Sequence, residues 1–272
     1  MTRTNELARK ISAFLDLKLN IQAVRFIENE SEVPEGTVAA GRDIGHLALC
    51  QAFALAKREG KTVYTTKYSE WCWTPLIALG YVECRPGTEA FEEISRNMGI
   101  EDMDEARRFF ENFPTLPLGK YSGVLIAPAA TADFSPDVLL INCDNNFQLR
   151  TLLWAIKHKT GKMLDVSLDP IDSCIYTLVK SMITREYTVA IPDPGEQERA
   201  LSDKNEIILG VPAERLEALA EGCDFLASHR IGYRDMQMQM QFDFERPPFY
   251  NRLYEIWGLE QGKSWSRGDM EK

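Results

Sequence analysis

Cysteine is where chemistry is most legible in this chain. Cys50 opens the stretch CQAFALAKREGKTVYTTKYSEWCWTPLIALG, residues 50–80, which also contains Cys72. The stretch reads as a helix stopping at Gly60, a strand of β-branched and aromatic residues from Thr62 to Thr66, and a second helix opening just after Cys72. A similar pattern, TLLWAIKHKTGKMLDVSLDPIDSCIYTLVKSM, spans Thr151 to Met182. Gly60-Lys61 is followed by ten residues and Cys72, and Gly161-Lys162 by eleven and Cys174. Both pairs end a Lys/Arg-rich helix, where a C-cap glycine and C-terminal cations belong. The spacing predicts a degenerate internal duplication with Cys72 and Cys174 at equivalent strand-to-helix corners. A thiol at a helix start is eased toward the thiolate by the helix dipole, the form a nucleophile or a soft metal needs.

No Cys-x-x-Cys pair occurs, so zinc ribbons, ferredoxin-type clusters and thioredoxin-like redox chemistry lack their signature. The plain alternative is that these cysteines are small core hydrophobes. Cys84, Cys143 and Cys223 have no special context and are read that way.

Other residues cluster around the cysteines in sequence. Arg42, His46 and Cys50 fall at i, i+4 and i+8, which places all three along one side of a helix if the helix extends that far. Arg42 and His46 are then the catalytic candidates, one for an anion and one for a proton, against the alternative of a solvated helix face. Trp71 and Trp73 flank Cys72 and either pack in the core or wall a planar substrate. Asp144-Asn145-Asn146 follows an apolar strand and is expected at the same sheet edge as the cysteine corners, so Asn145 is a candidate lining residue. Asp169, Asp172 and Ser173 precede Cys174, where capping the helix or moving a proton are the two roles open to them.

Positioning these residues takes a sizeable domain. Apolar residues make up 44% of the 272 and charged ones 26%, an ordinary globular balance. A net charge of −10 leaves no basic stripe for phosphates, which argues against nucleic acid as a partner. No apolar run approaches the roughly 20 residues that span a bilayer. The N-terminal MTRTNELARKISAFLDLKL is charged and helix-patterned, unlike a signal peptide. A cytoplasmic protein with reduced thiols is the expectation.

Strand signals at 21–27, 62–66, 121–127, 138–142, 187–191 and 206–210 alternate with helical patterns. The expected fold is α/β: a mainly parallel sheet with helices on both faces. Two βαβ-like halves, about 20–82 and 121–192, flank a helical insertion at 83–120, and together they make one domain, 1–227. Residues 228–272 form a C-terminal extension. Its strictly alternating segment from Met236 to Phe242 predicts a strand at a sheet edge or in a homodimer contact. The aromatic stretch Phe249–Trp257 predicts a turn or helix.

Several segments resemble the uncharacterised "domain of unknown function 169" family of prokaryotic proteins. They are Val33-Pro34-Glu35-Gly36, Cys50-Gln51-Ala52, the Cys72 corner through Ala78-Leu79-Gly80, GKYSGVLIAP at 119–128, ADFSPDVLLI at 132–141, Gln148, Ser173-Cys174, and GVPAERLEALAEG at 210–222. The resemblance runs over roughly residues 12–223 and implies no established reaction. It does imply that Cys50, Cys72 and Cys174 are the characteristic cysteines, and it adds Gln148 as a substrate contact. The Gly-Asp-Arg element common after the last cysteine stands here as Asp193-Pro194-Gly195-Glu196, and Trp71, Trp73 and Pro75 replace smaller residues. These departures and the added tail point to a subgroup with its own ligand.

Three cysteines far apart in sequence can meet if their corners converge at the C-terminal edge of parallel strands. The leading expectation is an enzyme holding a [4Fe–4S] cluster on Cys50, Cys72 and Cys174 with one open iron. It would act on a small anionic or aromatic substrate by reductive or Lewis-acid elimination. Open beside it are a non-catalytic small-molecule or metallocofactor-binding protein and a cluster-free thiol enzyme with His46 as base.

Overall fold

The computed structural model describes residues 2–229 and 248–258. The chain divides into a body reaching Tyr233 and a second unit, residues 234–272. Seven strands form one sheet in the first: β1 (Gln22–Ile27), β2 (Val38–Ala39), β3 (Val63–Thr66), β4 (Gly123–Pro128), β5 (Val138–Cys143), β6 (Thr188–Ala190) and β7 (Ile207–Pro212). Around them lie α1 (Arg3–Leu15), α2 (Leu49–Glu59), α3 (Trp73–Ala78), α4 (Glu89–Asn97), α5 (Met103–Asn112), α6 (Asn146–Thr160), α7 (Ser173–Thr184), α8 (Pro194–Arg199) and α9 (Leu216–Ser228). In the second unit, α10 spans Pro248–Ile256, a helix where the aromatic stretch predicts a turn or helix. The Met236–Phe242 strand and the dimer contact expected of it lie outside the described residues.

Strand order is β2-β3-β4-β1-β5-β7-β6. Only β2 and β3 pair in parallel; every other neighbouring pair is antiparallel. The expectation of a mainly parallel sheet is therefore corrected, and the reason lies in the topology. β1 and β3, joined through α2, run the same way, but β4 is inserted between them. β5 and β6, joined through α6 and α7, also run the same way, and β7 is inserted between those. Each half is a βαβ unit split by a later antiparallel strand.

The two units share one topology, in a different register from the one the Gly-Lys pairs suggest. Gln22 to Ile27 pair with Pro128 to Gly123, and Val138 to Cys143 pair with Pro212 to Ile207, two full-length pairings that each end on a proline. In the first half, α2 stops at the left-handed Gly60, three residues before β3. In the second, α7 stops at the left-handed Arg185, three residues before β6. The counterpart of α2 is α7, and Cys50 and Cys174 are each the second residue of their helix. No strand precedes Cys174, because residues 161–172 carry no regular structure. The counterpart of Cys72 in this register is Asp193, each being the N-cap of the short helix after the split unit's last strand.

Helices cover both faces, as expected. On one side α1, α6 and α9 bury Leu7, Ile11, Leu152, Leu219 and Leu226 against Leu125, Leu139 and Leu209. On the other, α2, α3 and α7 bury Leu49, Phe53, Ile77, Ile175 and Leu178 against Val24, Ile126 and Leu140. Coverage on both faces gives the central strands their unbroken apolar sequences.

One glycine sets how closely α7 approaches the sheet. A Cβ built on Gly210 of β7 would stand 2.2 Å from the Thr177 carbonyl oxygen of α7 and 2.4 Å from Thr188 Oγ1. Gly210→Ala must push the helix carrying Cys174 off the strand, at about 1–3 kcal/mol for overpacking. Urea denaturation should show that loss, and an unchanged midpoint would mean the helix yields freely.

Candidate functional site

A cavity of about 330 Å³ opens where the first turns of α2, α3, α7 and α8 come together. Its lining includes Cys50, Cys72 and Cys174, so the three cysteines predicted to meet do share one cavity. They meet where these helices begin, on a sheet that is mostly antiparallel and not mainly parallel as expected. Cys174 is buried; Cys50 and Cys72 are half-buried. Among the described residues, no three or more His, Cys, Asp or Glu side chains draw together as one metal ion requires.

Burial overrides the helix starts in setting the thiols' charge. Burial, and then the charges of Glu196 and Asp193, push the Cys50 thiol up to about 12. Cys174 is raised well above its ordinary value, by burial first and then by Cys50, Asp193, Asp172 and Cys72. Burial also raises Cys72, against hydrogen bonds from Thr74 that lower it. All three are therefore thiols in the free protein, which corrects the expectation of thiolates.

Two carboxyl groups near the thiols are raised toward neutrality. Burial raises Asp172 to about 7, opposed by a hydrogen bond from Thr74 and reinforced by Asp169 and Asp193. Burial raises Glu70 to about 7 as well, although the amides of Cys72, Trp71 and Leu49 hydrogen-bond to it. One oxygen of each, Asp172 Oδ2 and Glu70 Oε2, is buried with no hydrogen-bond partner among the described residues. Glu70 Oε1 accepts from the Trp71 and Cys72 amides at 3.0 and 2.8 Å and so fixes the entry to α3. Thr74 Oγ1 lies 3.4 Å from Cys72 Sγ.

Asp172 occupies the N-cap of α7 at φ 63°, yet its side chain caps nothing. Asp193 does that work. Its Oδ2 accepts from the Ser173 amide at 3.3 Å and its Oδ1 from the Glu196 amide at 2.8 Å. Cys72, its counterpart, makes no such side-chain cap, and its sulfur is engaged by Thr74 alone.

Behind the cavity runs a buried polar network absent from the sequence-based expectation. Lys57 Nζ lies 3.2 Å from Glu196 Oε1, 2.8 Å from Ser202 Oγ and 3.1 Å from Glu206 Oε2. Glu196 Oε2 accepts from Ser173 Oγ at 2.6 Å, which ties the network to the start of α7. From the other end, Asn142 Nδ2 donates to Glu206 at 3.1 Å and Gln22 Nε2 donates to Asn142 at 2.7 Å. The available signal was a lysine on the buried stripe of α2, beside Ala52, Phe53 and Ala56.

The remaining predicted residues divide. Trp71 and Trp73 line the cavity. Trp71 is 46% exposed, while Trp73 stacks on Phe113 at 6.3 Å and so also packs in the core. Arg42 and His46 do not share a helix face with Cys50, because α2 begins only at Leu49. Both are exposed and neither lines the cavity; Arg42 pairs with Asp43 at 2.9 Å. Asn145 is the N-cap of α6, on the opposite face of the sheet, accepting from the Phe147 and Gln148 amides. Gln148 is buried there, donating to the Leu15 carbonyl at 3.0 Å and accepting from the Asp144 amide at 2.6 Å. It ties α1 to the start of α6.

Among the described residues, no helix is long and apolar enough to cross a membrane. No curated protein and no solved structure matches the chain. A family profile does, over residues 10–222, a span that holds every strand of the sheet and all three cavity cysteines. The chain belongs to the domain of unknown function 169 family, described as Uncharacterised ArCR.

Proposed function

We propose that this cavity is an iron–sulfur site, in which Cys50, Cys72 and Cys174 hold a [4Fe–4S] cluster and a small anionic or aromatic molecule is the substrate. The observation that supports the reading most is the sharing of one cavity by three sequence-distant thiols. The donor set fits the group. A cubane cluster takes each thiolate on a different iron, so its ligands stand further apart than those of one ion. Bound there, the cluster would supply an iron without a protein ligand, a Lewis acid for a substrate oxygen or sulfur in reductive or elimination chemistry.

The chain's own residues have definite tasks on this reading. The three cysteines must each lose a proton, so loading tightens as pH rises. Trp71, Trp73 and Pro75 keep water from one wall. Asp172, raised to about 7 by burial, would offer a hydrogen-bond donor in the cavity when it carries its proton. A thiol enzyme is the weaker alternative, because burial holds the thiols protonated and His46 stands outside the cavity.

Strictly anaerobic reconstitution tests the proposal. Wild-type protein should show broad absorbance around ~400 nm with near-equal iron and sulfide. Cys174→Ala should lose most of the iron, and Cys84→Ser should keep it. A clear wild-type spectrum after reconstitution would overturn the cluster, and a Cys174→Ala protein that keeps its colour would remove Cys174 from it.

A further inference from the structure

The cavity has a charged lip that the cluster reading leaves unused. Among the described residues, Arg199, the last residue of α8, is the only cation lining it. The side chain folds back over the first turn of its own helix. A Cβ built on Gly195 would meet Arg199 Nη1 at 3.1 Å and Asp193 Oδ1 at 3.2 Å, so the missing side chain at 195 leaves the guanidinium its place. The guanidinium carbon lies 5.0 Å from the centre of the Trp71 ring, within cation–π range. Trp71 is itself held by its indole N–H, which donates to Gln51 Oε1 at 3.3 Å. Among the described residues, the one ion pair Arg199 makes is with Glu198 at 3.6 Å, both side chains being substantially exposed. Among the described residues no hydrogen bond engages its donors. A fork of N–H groups is thus presented at the cavity, with the Glu198 pairing and the Trp71 face as its partners.

The rest of the lining says what the fork would receive. Trp71, Trp73, Pro75, Met98 and Ile171 make much of the lining apolar, two of them with planar rings. At about 330 Å³ the cavity is at the small end of the ~300–1,000 Å³ range of small-molecule sites. Asp193, whose charge also bears on Cys50, shares the lining, so a second negative charge on the ligand meets repulsion where the first meets one guanidinium.

We propose that Arg199, steadied by Trp71, is the specificity-determining residue of this cavity and that its ligand is a small planar monocarboxylate. The carboxylate pairs with the guanidinium while the ring lies against the tryptophan wall. The inference rests on the cavity being the functional site and deepens that reading, but it does not require the cluster.

Calorimetric titration of the full-length protein with benzoate, benzamide and phenyl phosphate tests it. Each titration is made on as-purified and on reconstituted protein, with iron measured on the same samples. Benzoate should bind saturably and about tenfold or more tighter than the neutral amide or the dianion, the size of a charge-assisted hydrogen-bonded pair. Arg199→Gln should bring benzoate down to the level of benzamide without changing iron content, and Arg199→Lys should restore part of the difference. Absence of saturable benzoate binding, benzamide binding as tightly as benzoate, or equal benzoate affinity in wild type and Arg199→Gln each overturn the proposal. Protein that stays iron-free after reconstitution yet binds benzoate through Arg199 would sink the cluster and keep this inference; iron-loaded protein indifferent to Arg199→Gln would do the reverse.

Discussion

Lys57→Met is expected to destabilise the protein by about 3–5 kcal/mol, the usual cost of stranding buried charge. The side chains of Lys57, Glu196 and Glu206 are 0%, 1% and 3% exposed, so water cannot replace the lost partner. Burial alone would raise Glu206, but Lys57, the Asp203 amide and Arg58 outweigh it and hold the carboxylate below its ordinary value. Without Lys57 that balance tips. The loss should also reach the cavity, because Glu196 holds Ser173 at the start of α7. Urea denaturation gives the free energy, and Lys57→Met/Glu196→Gln/Glu206→Gln should recover part of it by removing the stranded charges. A single variant within about 1 kcal/mol of wild type would mean that the network contributes little.

Asp172→Asn should have the opposite sign. In the folded protein burial raises the Asp172 carboxyl from 3.8 to about 7, so between these values the folded state binds more protons than the unfolded chain. Stability therefore falls as pH climbs from about 4 to about 7, and the full penalty persists above that. At about 1.4 kcal/mol per pH unit, roughly three units give about 4 kcal/mol at pH 8. Asparagine tolerates the left-handed conformation at φ 63° and can still accept from Thr74. The variant should be more stable than wild type by about that amount at pH 8, and by only about 1–2 kcal/mol at pH 5. Glu70 would keep a weaker dependence of the same sign in both proteins. Denaturation curves at the two pH values decide the matter; a gain independent of pH would show that Asp172 does not titrate as described. An ionisable group held at such a cost is common where function, not stability, selects the residue.

Much of the framework was legible because it depends on neighbours in the chain. The left-handed caps at Gly60 and Gly161, the start of α3 just after Cys72, and the apolar strands all follow from local sterics and periodicity. Helices on both faces followed from strands such as Val138–Cys143 being apolar throughout. Those same sequences misled about direction. An apolar run records that both faces are covered and says nothing of which strand donates the hydrogen bonds, so the insertion of β4 and β7 left no local trace. The two units were misregistered for a related reason: Gly60 and Gly161 share a chemistry of helix ends, whereas the topological counterpart of Gly60 is Arg185, a residue with no sequence signature for the left-handed region.

The sequence alone determined which residue types were available, where the helices stop, and that three cysteines stand at or near helix starts. Tertiary structure decided the rest of the site. It put Cys50, Cys72 and Cys174 around one cavity, sent Asn145 and Gln148 to the far face, and left Arg42 and His46 outside. It also made Lys57 the centre of a buried network and set the proton affinities of the thiols and of Asp172 and Glu70. Helix caps answer to a few adjacent torsions. Proximity, burial and charge balance belong to groups brought together from distant parts of the chain, and those exist only once the sheet has fixed where each helix begins.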